Sequence, residues 1–388
     1  MTSDIPSRIV GLLLTFTLII GARGPSVNAA SSPAPPRVAS SAGPGWSPPQ
    51  NISASVAVDS EAPALAVTAS RVVHVVWEED NELHHAYRTG GTWSTPAQVP
   101  GTGTADEPAL APGPGEHVQL VYANYPDIYR VAWHGSGWGF PYNVSQHDLN
   151  VSVSPDIAVA SDGSVHIAAV EVFSQQLYHA DVSEGTYLPI ANAYGEDPSL
   201  DVAGMPSETI QIAYRHAFES DIYTLQRADG PWTLPESVSN TPESFSTAPQ
   251  LVMQDSDTAH IVWRETISAT PQVQVARGSG WMPVITLSQS TAGTSIPALA
   301  LSAPGAPHAA WGDGDSPSFT LMHTQASGPD AWVGPEPVRT VSLPVDDVAL
   351  FGSSDGTIHA VWVEGTPGEI WYARWSPCRV FLPLVLRN

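Results

Sequence analysis

The sequence contains no lysine, because all 14 of its basic residues are arginines. Charged residues account for only 13% of the chain, against about 25% in an average globular protein. With 38 acidic residues, the formal net charge is -24. A protein this negative repels phosphate groups, so nucleic acid and anionic membrane surfaces are excluded as partners.

Cysteine is nearly absent, and the single Cys378 excludes an internal disulfide. No stretch shows a sustained helical period of apolar residues. A phosphate-binding loop, a nucleophile elbow and a cysteine-based catalytic motif are also missing. The hydrophobic residues, 42% of the chain, therefore have to form the core from β-strands.

The first 29 residues have the pattern of a signal peptide. Arg8 supplies a positive charge, Ile9–Ala22 is an apolar run, and Val27–Ala29 offers small residues to a peptidase. The run is shorter than a comfortable membrane span. We expect export, which makes the protein secreted or attached to the cell surface; a retained anchor is the alternative.

The sequence divides into further segments after the signal. Residues 30–44 are rich in Pro, Ser and Ala, which predicts a linker. The folded body is expected to span 45–375. The tail, 376–388, has a Leu-Pro-Leu core similar to C-terminal tails of exported bacterial proteins. We expect either a sorting segment or a strand packed on the body.

One pattern recurs seven times in the folded body, at intervals of about 45 to 50 residues. It consists of a hydrophobic or small residue, His or Gln, two apolar residues and usually an aromatic residue. The copies are Val73–Trp77, Val118–Tyr122, Val165–Ala169, Ile210–Tyr214, Ala259–Trp263, Pro307–Trp311 and Ile358–Trp362. Each copy also has an apolar run near Pro before it, a β-forming run after it, and a closing Trp or Tyr. We call each copy a unit and number them 1 to 7.

The four β-forming runs of each unit are separated by Gly, Asp, Ser and Pro, which predicts a four-stranded meander. Such units repeated around an axis form a β-propeller. We therefore predict an all-β chain with a single seven-bladed β-propeller. A closing segment at Trp46 precedes the first unit, whereas the seventh unit ends in a poor copy at Trp375. The N-terminal strand is thus predicted to complete the last blade, with an open solenoid as the alternative.

The turns before the closing tryptophans resemble degenerate Asp boxes, a motif of the form Ser-x-Asp-x-Gly-x-Thr-Trp. These turns are Thr89–Trp93, Gly135–Trp138, Ala228–Trp232 and Gly278–Trp281. From Trp46 to Trp375 the chain therefore resembles the sialidase-like propellers with BNR repeats. The resemblance implies that functional residues lie in loops between second and third strands and in loops linking blades. Propeller lectins are a possible second relative.

Two arginines are the leading ligand-binding candidates. Arg215 and Arg264 directly follow the aromatic residue of units 4 and 5, in a chain short of positive charge. Two guanidinium groups in neighbouring blades would suit a carboxylate. The alternative is that each pairs with a nearby acid, such as Glu219 or Glu265.

The resemblance also implies what a sialidase would need: three arginines, a Tyr nucleophile helped by Glu, and an acidic proton donor. Only Arg215 and Arg264 match, with Tyr125 and Tyr194 as candidate tyrosines. The family's Arg-Ile-Pro motif is missing.

Carboxylates recur near the expected channel mouth. The candidates are Glu78, Glu171, Glu265 and Glu364. They are suited to binding Ca²⁺ or to general acid–base chemistry, and a solvated acidic rim is the alternative. Blade-linking loops add Asp106, Glu107, His147, Asp148, Tyr194, Glu196 and Asp197. Apart from Ca²⁺, no cofactor or metal is predicted.

Five histidines share one register, namely His74, His166, His260, His308 and His359. A metal site needs ligands that converge on one point. Residues repeated around a ring indicate instead a structural contact, such as a hydrogen bond between blades or to a turn.

These features predict an exported, non-catalytic propeller that recognises glycan or protein ligands at or outside the cell surface. The first alternative is a sialidase-type glycoside hydrolase acting on an acidic sugar through Arg215 and Arg264. The second is a structural surface scaffold, since propellers serve many functions.

Overall fold

The computed structural model describes residues 45–55, 57–146, 150–204, 208–241, 244–278, 280–302 and 305–377. The expected signal peptide and linker, His147, Asp148 and the tail from Cys378 onward lie outside the described residues. Every regular element within those ranges is a β-strand. They contain no helix of the length and hydropathy needed to span a membrane.

The N-terminal strand and the first three units come first along the described chain. The N-terminal strand is β1 (Gln50–Asn51). Unit 1 has β2 (Ser60–Val67), β3 (Val73–Glu79), β4 (Glu82–Thr89), β5 (Thr92–Trp93) and β6 (Ala97–Gln98). Unit 2 has β7 (Asp106–Pro112), β8 (His117–Asn124), β9 (Asp127–His134) and β10 (Tyr142–Asn143). Unit 3 has β11 (Ser152–Val159), β12 (Val165–Glu171), β13 (Gln176–Asp181) and the first half of β14 (Thr186–Ala203).

The remaining units follow the same order. Unit 4 has the second half of β14, β15 (Thr209–His216), β16 (Ile222–Arg227) and β17 (Glu236–Ser237). Unit 5 has β18 (Ser246–Met253), β19 (Ala259–Ile267), β20 (Thr270–Arg277) and β21 (Ile285–Thr286). Unit 6 has β22 (Ala298–Ser302), β23 (Ala306–Asp315), β24 (Ser318–Gly328), β25 (Ala331–Trp332) and β26 (Glu336–Val341). Unit 7 has β27 (Val345–Gly352), β28 (Ile358–Gly365) and β29 (Gly368–Trp375).

Within each unit, successive strands pair antiparallel, as the turn signals predicted, except that β6 pairs with β4 and β26 pairs with β24. Two pairings connect parts of the chain that belong to different repeats. β14 pairs with β13 through its first half and with β15 through its second half, so it is shared by units 3 and 4. β1 pairs with β29, where Gln50 lies opposite Tyr372. β1 is therefore the fourth strand of the unit 7 sheet.

The first strand of six units contains a β-bulge close to its start. The bulge includes a non-glycine residue with positive φ, which an ordinary strand does not tolerate. These residues are Ala62, Glu107, Ser154, Asp197, Ala248 and Asp347. Five of them precede a proline, which explains why the apolar run of each unit opens near Pro.

The units pack through their first strands. Each first strand contacts the next one along the chain, and β27 of unit 7 contacts β2 of unit 1. The approach is closest at Gly352, where a Cβ atom would lie 1.6 Å from the carbonyl oxygen of Leu301. Between the sheets, the aromatic residue that ends the repeat pattern is fully buried in six units. These residues are Trp77, Tyr122, Tyr214, Trp263, Trp311 and Trp362.

The histidine register lies on the second strands and is buried. Four of its members contact a side chain at the turn between first and second strands. The pairs are His166 with Ser164, His260 with Gln254, His308 with Ser302 and His359 with Ser353, at 2.9 to 3.5 Å. The predicted structural contact to a turn is therefore confirmed for these four residues. His74 instead contacts His85 on the third strand of its own sheet, at 3.1 Å.

The closing residues pack across the boundary between units, against the third strand of the preceding unit. The ring pairs are Trp138 with His85, Trp232 with His179, Trp46 with His323 and Trp93 with Tyr372, with centroids 5.0 to 5.2 Å apart. The last pair joins unit 1 to unit 7. The closing residues therefore fill the wedge between sheets.

Candidate functional site

The turns between second and third strands, here called the upper turns, present aromatic side chains in three successive units. Tyr125 in unit 2, Phe173 in unit 3 and Phe218 in unit 4 are 77%, 76% and 76% exposed. Large aromatic side chains are normally buried, so exposed ones on the equivalent turns of three successive units are unusual. We call these three residues the aromatic platform.

The upper turn of unit 3 is held by Glu171. Its carboxylate accepts hydrogen bonds from the backbone amides of Phe173, at 3.0 Å, and Ser174, at 2.8 Å. Glu171 itself is only 4% exposed. This carboxylate is buried beneath the turn and fixes the backbone that carries Phe173.

Arg215 and Glu196 form an ion pair at the start of unit 4. They face each other because the β14–β15 register pairs them directly. Their side chains are only 12% and 13% exposed. Gln175 donates to the second carboxylate oxygen of Glu196, at 2.9 Å. Arg215 is thus paired with an acid, but the partner is Glu196 and not the expected Glu219.

Aromatic rings surround this ion pair. The guanidinium carbon of Arg215 lies 5.2 Å from the ring centroid of Phe245, a residue that is 44% exposed. The ring of Phe218 lies 6.5 Å from that of Tyr194 and 5.8 Å from that of His216. Unit 4 therefore combines a neutralised arginine with exposed aromatic faces.

The tight packing at this point requires glycine. A Cβ atom on Gly195 would lie 2.2 Å from the carbonyl oxygen of Arg215 and 2.4 Å from Cδ2 of Tyr214. Only a residue without a Cβ lets β14 approach β15 closely enough to align Glu196 with Arg215.

Arg264 lies one unit further on, opposite Thr247, to which its Nε donates at 3.3 Å. Glu265, the next residue, is 2% exposed and points into the core. Its carboxylate accepts from Ser246, at 2.6 Å, and from the indole nitrogen of Trp263, at 2.7 Å. Arg215 and Arg264 therefore contact Phe245 and Thr247, which flank the start of β18.

The structure changes the assignment of Glu78. Glu79, and not Glu78, occupies the position of Glu171 and Glu265, two residues after the end of the repeat pattern. Glu79 accepts from Ser60, at 2.9 Å, and from the indole of Trp77, at 3.1 Å, as Glu265 does in unit 5.

Glu78 belongs instead to a group of acids in units 1 and 2. Burial raises its pKa to about 7, and the charges of Glu61, Asp106 and Glu107 contribute to the shift. The carboxyl group is therefore partly protonated near neutral pH, unlike an ordinary glutamate.

Glu364 forms a two-point ion pair with Arg339. Its oxygens lie 2.7 Å from Nε and 3.0 Å from Nη2 of the arginine. The guanidinium group also lies 4.0 Å from the ring centroid of Trp371. Glu364 is 7% exposed, so this pair joins β26 of unit 6 to unit 7 within the packed body.

The alternative of a solvated acidic rim is wrong for Glu171, Glu265 and Glu364, because all three are buried. The carboxylate of Asp313 accepts a hydrogen bond from Ser290 at 2.7 Å. Across the described residues, no group of three or more His, Cys, Asp or Glu side chains is arranged to hold a metal ion.

Sequence reasoning missed Phe173 as part of a shared surface, and it missed Phe218, Phe245, Gln175 and Arg339 altogether. A usable signal was present for Phe218. It is an apolar residue in the polar segment His216–Ser220, at a position where a turn was predicted.

Comparison with known proteins identifies the type of fold but no protein family. No family model and no curated protein matches the chain. A PL25 ulvan lyase solved bound to -[GlcA(1-4)Rha3S]- superposes with a TM-score of 0.60 at 9% identity, over 81% of this chain and 93% of that one. A fungal alcohol oxidase of the AA5 family, in complex with copper, gives 0.59 at 10% identity, over 86% and 76%.

The intramolecular trans-sialidase of Ruminococcus gnavus gives a TM-score of 0.44 at 10% identity, over 82% of this chain and 94% of that one. A score this low carries no argument. The other two likenesses, at such low identity, show the fold alone. The chain is thus an all-β protein of the propeller type.

Proposed function

We propose that the seven units are the blades of one closed propeller, with β1 completing the seventh blade. Three observations support closure: β27 contacts β2, β1 pairs with β29, and Trp93 of unit 1 packs on Tyr372 of unit 7. An open array would leave these end surfaces exposed to water. The turns before the closing tryptophans are, in this proposal, degenerate Asp boxes.

We propose that this propeller is an exported, non-catalytic module that recognises glycans through the aromatic platform. The observation that carries the proposal is the matching exposure of Tyr125, Phe173 and Phe218 on equivalent turns of successive units. A pyranose ring presents a face of C–H groups that packs against an aromatic ring. One exposed ring on each of three successive units offers three such packing faces, and hydrogen-bonding side chains beside them would orient a bound glycan.

The roles of the charged residues support binding rather than hydrolysis. A retaining or inverting glycosidase needs two carboxyl groups that are free to act on substrate. Glu171 and Glu265 are buried and engaged in hydrogen bonds within their own units. Glu364 is held by Arg339, and Arg215 by Glu196.

The test is incubation of the purified chain with a mixed glycan pool, followed by mass spectrometry of the bound and free fractions. We expect retained glycans of unchanged length. Shortened sialylated glycans would contradict the proposal in favour of the sialidase-type hydrolase. Absence of any retained glycan would contradict it in favour of a protein partner or a scaffold.

Substitution then locates the surface. Phe218→Ala is expected to weaken binding of the retained glycan by about three- to tenfold, the loss typical of one aromatic contact. Phe140→Ala is the matched control, because Phe140 is 97% exposed in the segment between β9 and β10 and does not belong to an upper turn. Equal effects of the two substitutions would place the binding site elsewhere.

A further inference from the structure

The upper edge of the sheets holds three arginines within the described residues: Arg215, Arg264 and Arg339. A guanidinium group recognises a carboxylate through two parallel hydrogen bonds, so an arginine serves an anionic ligand only while that side of the group is vacant. The occupancy of these three groups therefore determines the charge of ligand that the edge accepts.

Two of the three are filled by the protein's own carboxylates. Glu196 pairs with Arg215, and Gln175 holds the other oxygen of Glu196. Glu364 engages Arg339 at two points. Both ion pairs are largely buried, so a ligand would have to displace a well-held carboxylate to reach either arginine.

Arg264 differs, since no carboxylate lies within 4.0 Å of it among the residues the structure describes. Arg264 is thus the single arginine of the three without a carboxylate partner, in a chain with 38 acidic residues. The 38 acidic residues give the chain a formal net charge of -24. An anionic sugar on the platform would be repelled by this excess of negative charge.

We infer that the aromatic platform selects uncharged saccharide chains and rejects carboxylated or sulfated ones, and that Glu196 sets this selectivity by occupying the guanidinium group of Arg215. The inference rests on the proposed glycan recognition and narrows its ligand class. In this arrangement Arg215 is a positioning residue: its guanidinium group lies against the ring of Phe245, its Nη2 is engaged by Glu196 and its Nε is buried away from any ligand carboxylate.

The test uses pairs of oligosaccharides of equal length, tetramers of glucose against glucuronate and of galactose against galacturonate. Their affinities for the full chain are measured by titration calorimetry. We expect the wild-type protein to bind a neutral member at least tenfold more tightly than its carboxylated counterpart. The difference should shrink at high salt, because screening weakens the repulsion. Equal or tighter binding of the carboxylated member would overturn the inference.

Glu196→Gln sharpens the test. It removes the charge that occupies Arg215 and keeps an amide oxygen to accept from Gln175. We expect carboxylated tetramers to bind about tenfold more tightly to this variant, and neutral ones to change less than twofold. Glu219→Gln is the matched control, since Glu219 is bonded to Tyr223 on the same upper turn and neutralises no arginine. An equal gain in both variants would overturn the role of Glu196.

Arg264→Ala tests whether Arg264, which has no carboxylate partner, binds the carboxylate of an anionic sugar. If the wild-type protein preferred carboxylated tetramers and this substitution abolished that preference, Arg264 would be the clamp and the inference would be wrong. Failure of both the neutral and the carboxylated members to bind would overturn the glycan-binding proposal itself. The wild-type comparison decides the inference even if a variant fails to fold.

Discussion

Nδ1 of His74 lies 3.1 Å from Nε2 of His85, on the neighbouring strand of unit 1. The same arrangement recurs in unit 6, where His308 and His323 are 3.0 Å apart. One ring of each pair must donate and the other accept, so the contact requires that at least the accepting imidazole be neutral. Protonating both rings would place two positive charges together in the core.

Acid is therefore expected to destabilise the fold. Burial lowers the pKa of His74 to about 4 and, together with the charge of His74, that of His85 to about 3. These values lie below about 6.5, the value in an unfolded chain. The stability contributed by the neutral pair is thus present above pH 6.5 and is lost as the pH falls toward 4. We expect a cost of about 2 kcal/mol per histidine at pH 4.5 relative to pH 7.5, measured by urea unfolding.

A control for this prediction exists within the chain. Unit 4 has Gln211 and Thr224 at the equivalent positions, bonded at 3.0 Å. Replacing His308 by Gln and His323 by Thr copies that pair and should reduce the loss of stability between pH 7.5 and 4.5. An unchanged pH dependence would show that the histidine pairs are not its source.

Two aspartates act in the opposite direction. Burial raises the pKa of Asp156 and of Asp201 to about 6, against an ordinary value near 3.8. The folded state therefore holds these protons more readily than the unfolded state, and acidification through pH 6 favours folding at these two sites. Their contribution offsets part of the histidine effect.

Glu265→Ala is expected to lower the free energy of unfolding by about 2 to 4 kcal/mol. The substitution leaves the Ser246 hydroxyl and the Trp263 indole N–H buried without their acceptor. Chemical denaturation measures the loss, and Glu265→Gln, which keeps an acceptor oxygen, should lose less. If Glu265→Ala kept its stability but lost glycan binding, Glu265 would be a ligand-binding residue instead.

Gly352→Ala is expected to destabilise the contact between units 6 and 7. A Cβ atom would lie 1.6 Å from the backbone oxygen of Leu301, so one of the two strands has to shift. We expect the free energy of unfolding to fall by about 1 to 3 kcal/mol, the usual cost of overpacking, and the melting temperature to fall with it. Gly137→Ala is the control, because nothing lies within 4 Å of its Cβ position. Similar melting temperatures for both variants would contradict the proposed approach of β22 and β27.

Removal of residues 1–52 should be far more damaging than removal of residues 1–44. The longer deletion takes away β1 and the buried Trp46, which exposes the edge of β29. Open edges pair with other molecules, so we expect aggregation in light scattering together with a lower melting temperature. A monomeric, equally stable protein lacking residues 1–52 would show that β1 is dispensable.

The repeat made much of the architecture predictable, because seven copies of one pattern report the same environment. The antiparallel strands, the structural role of the histidines and the wedge positions of the closing tryptophans all followed from it. The bulges in the first strands did not follow from it, because alternation of side chains does not reveal an extra residue. The choice of Glu78 over Glu79 was an avoidable error, since Glu79 lies two residues after the repeat pattern, as Glu171 and Glu265 do.

The partner of Arg215 was unpredictable for a related reason. Glu219 is near in sequence, whereas Glu196 lies on another strand and is brought opposite Arg215 by the β14–β15 register. The exposure of aromatic side chains was also not predictable from the sequence. The sequence shows that Phe218 and Phe245 lie in connecting segments, but not that their rings face solvent.

The pairing of β1 with β29 also has a consequence for the order in which the strands can pair during folding. Gln50 leaves the ribosome long before Tyr372, its partner across the sheet. The partner strand of β1 is therefore available only after unit 7 has been made. Bringing such distant segments together costs more chain entropy than any pairing within a unit. The joining of the two ends is thus the slowest assembly step to expect, and an incomplete chain has no partner of its own for β1.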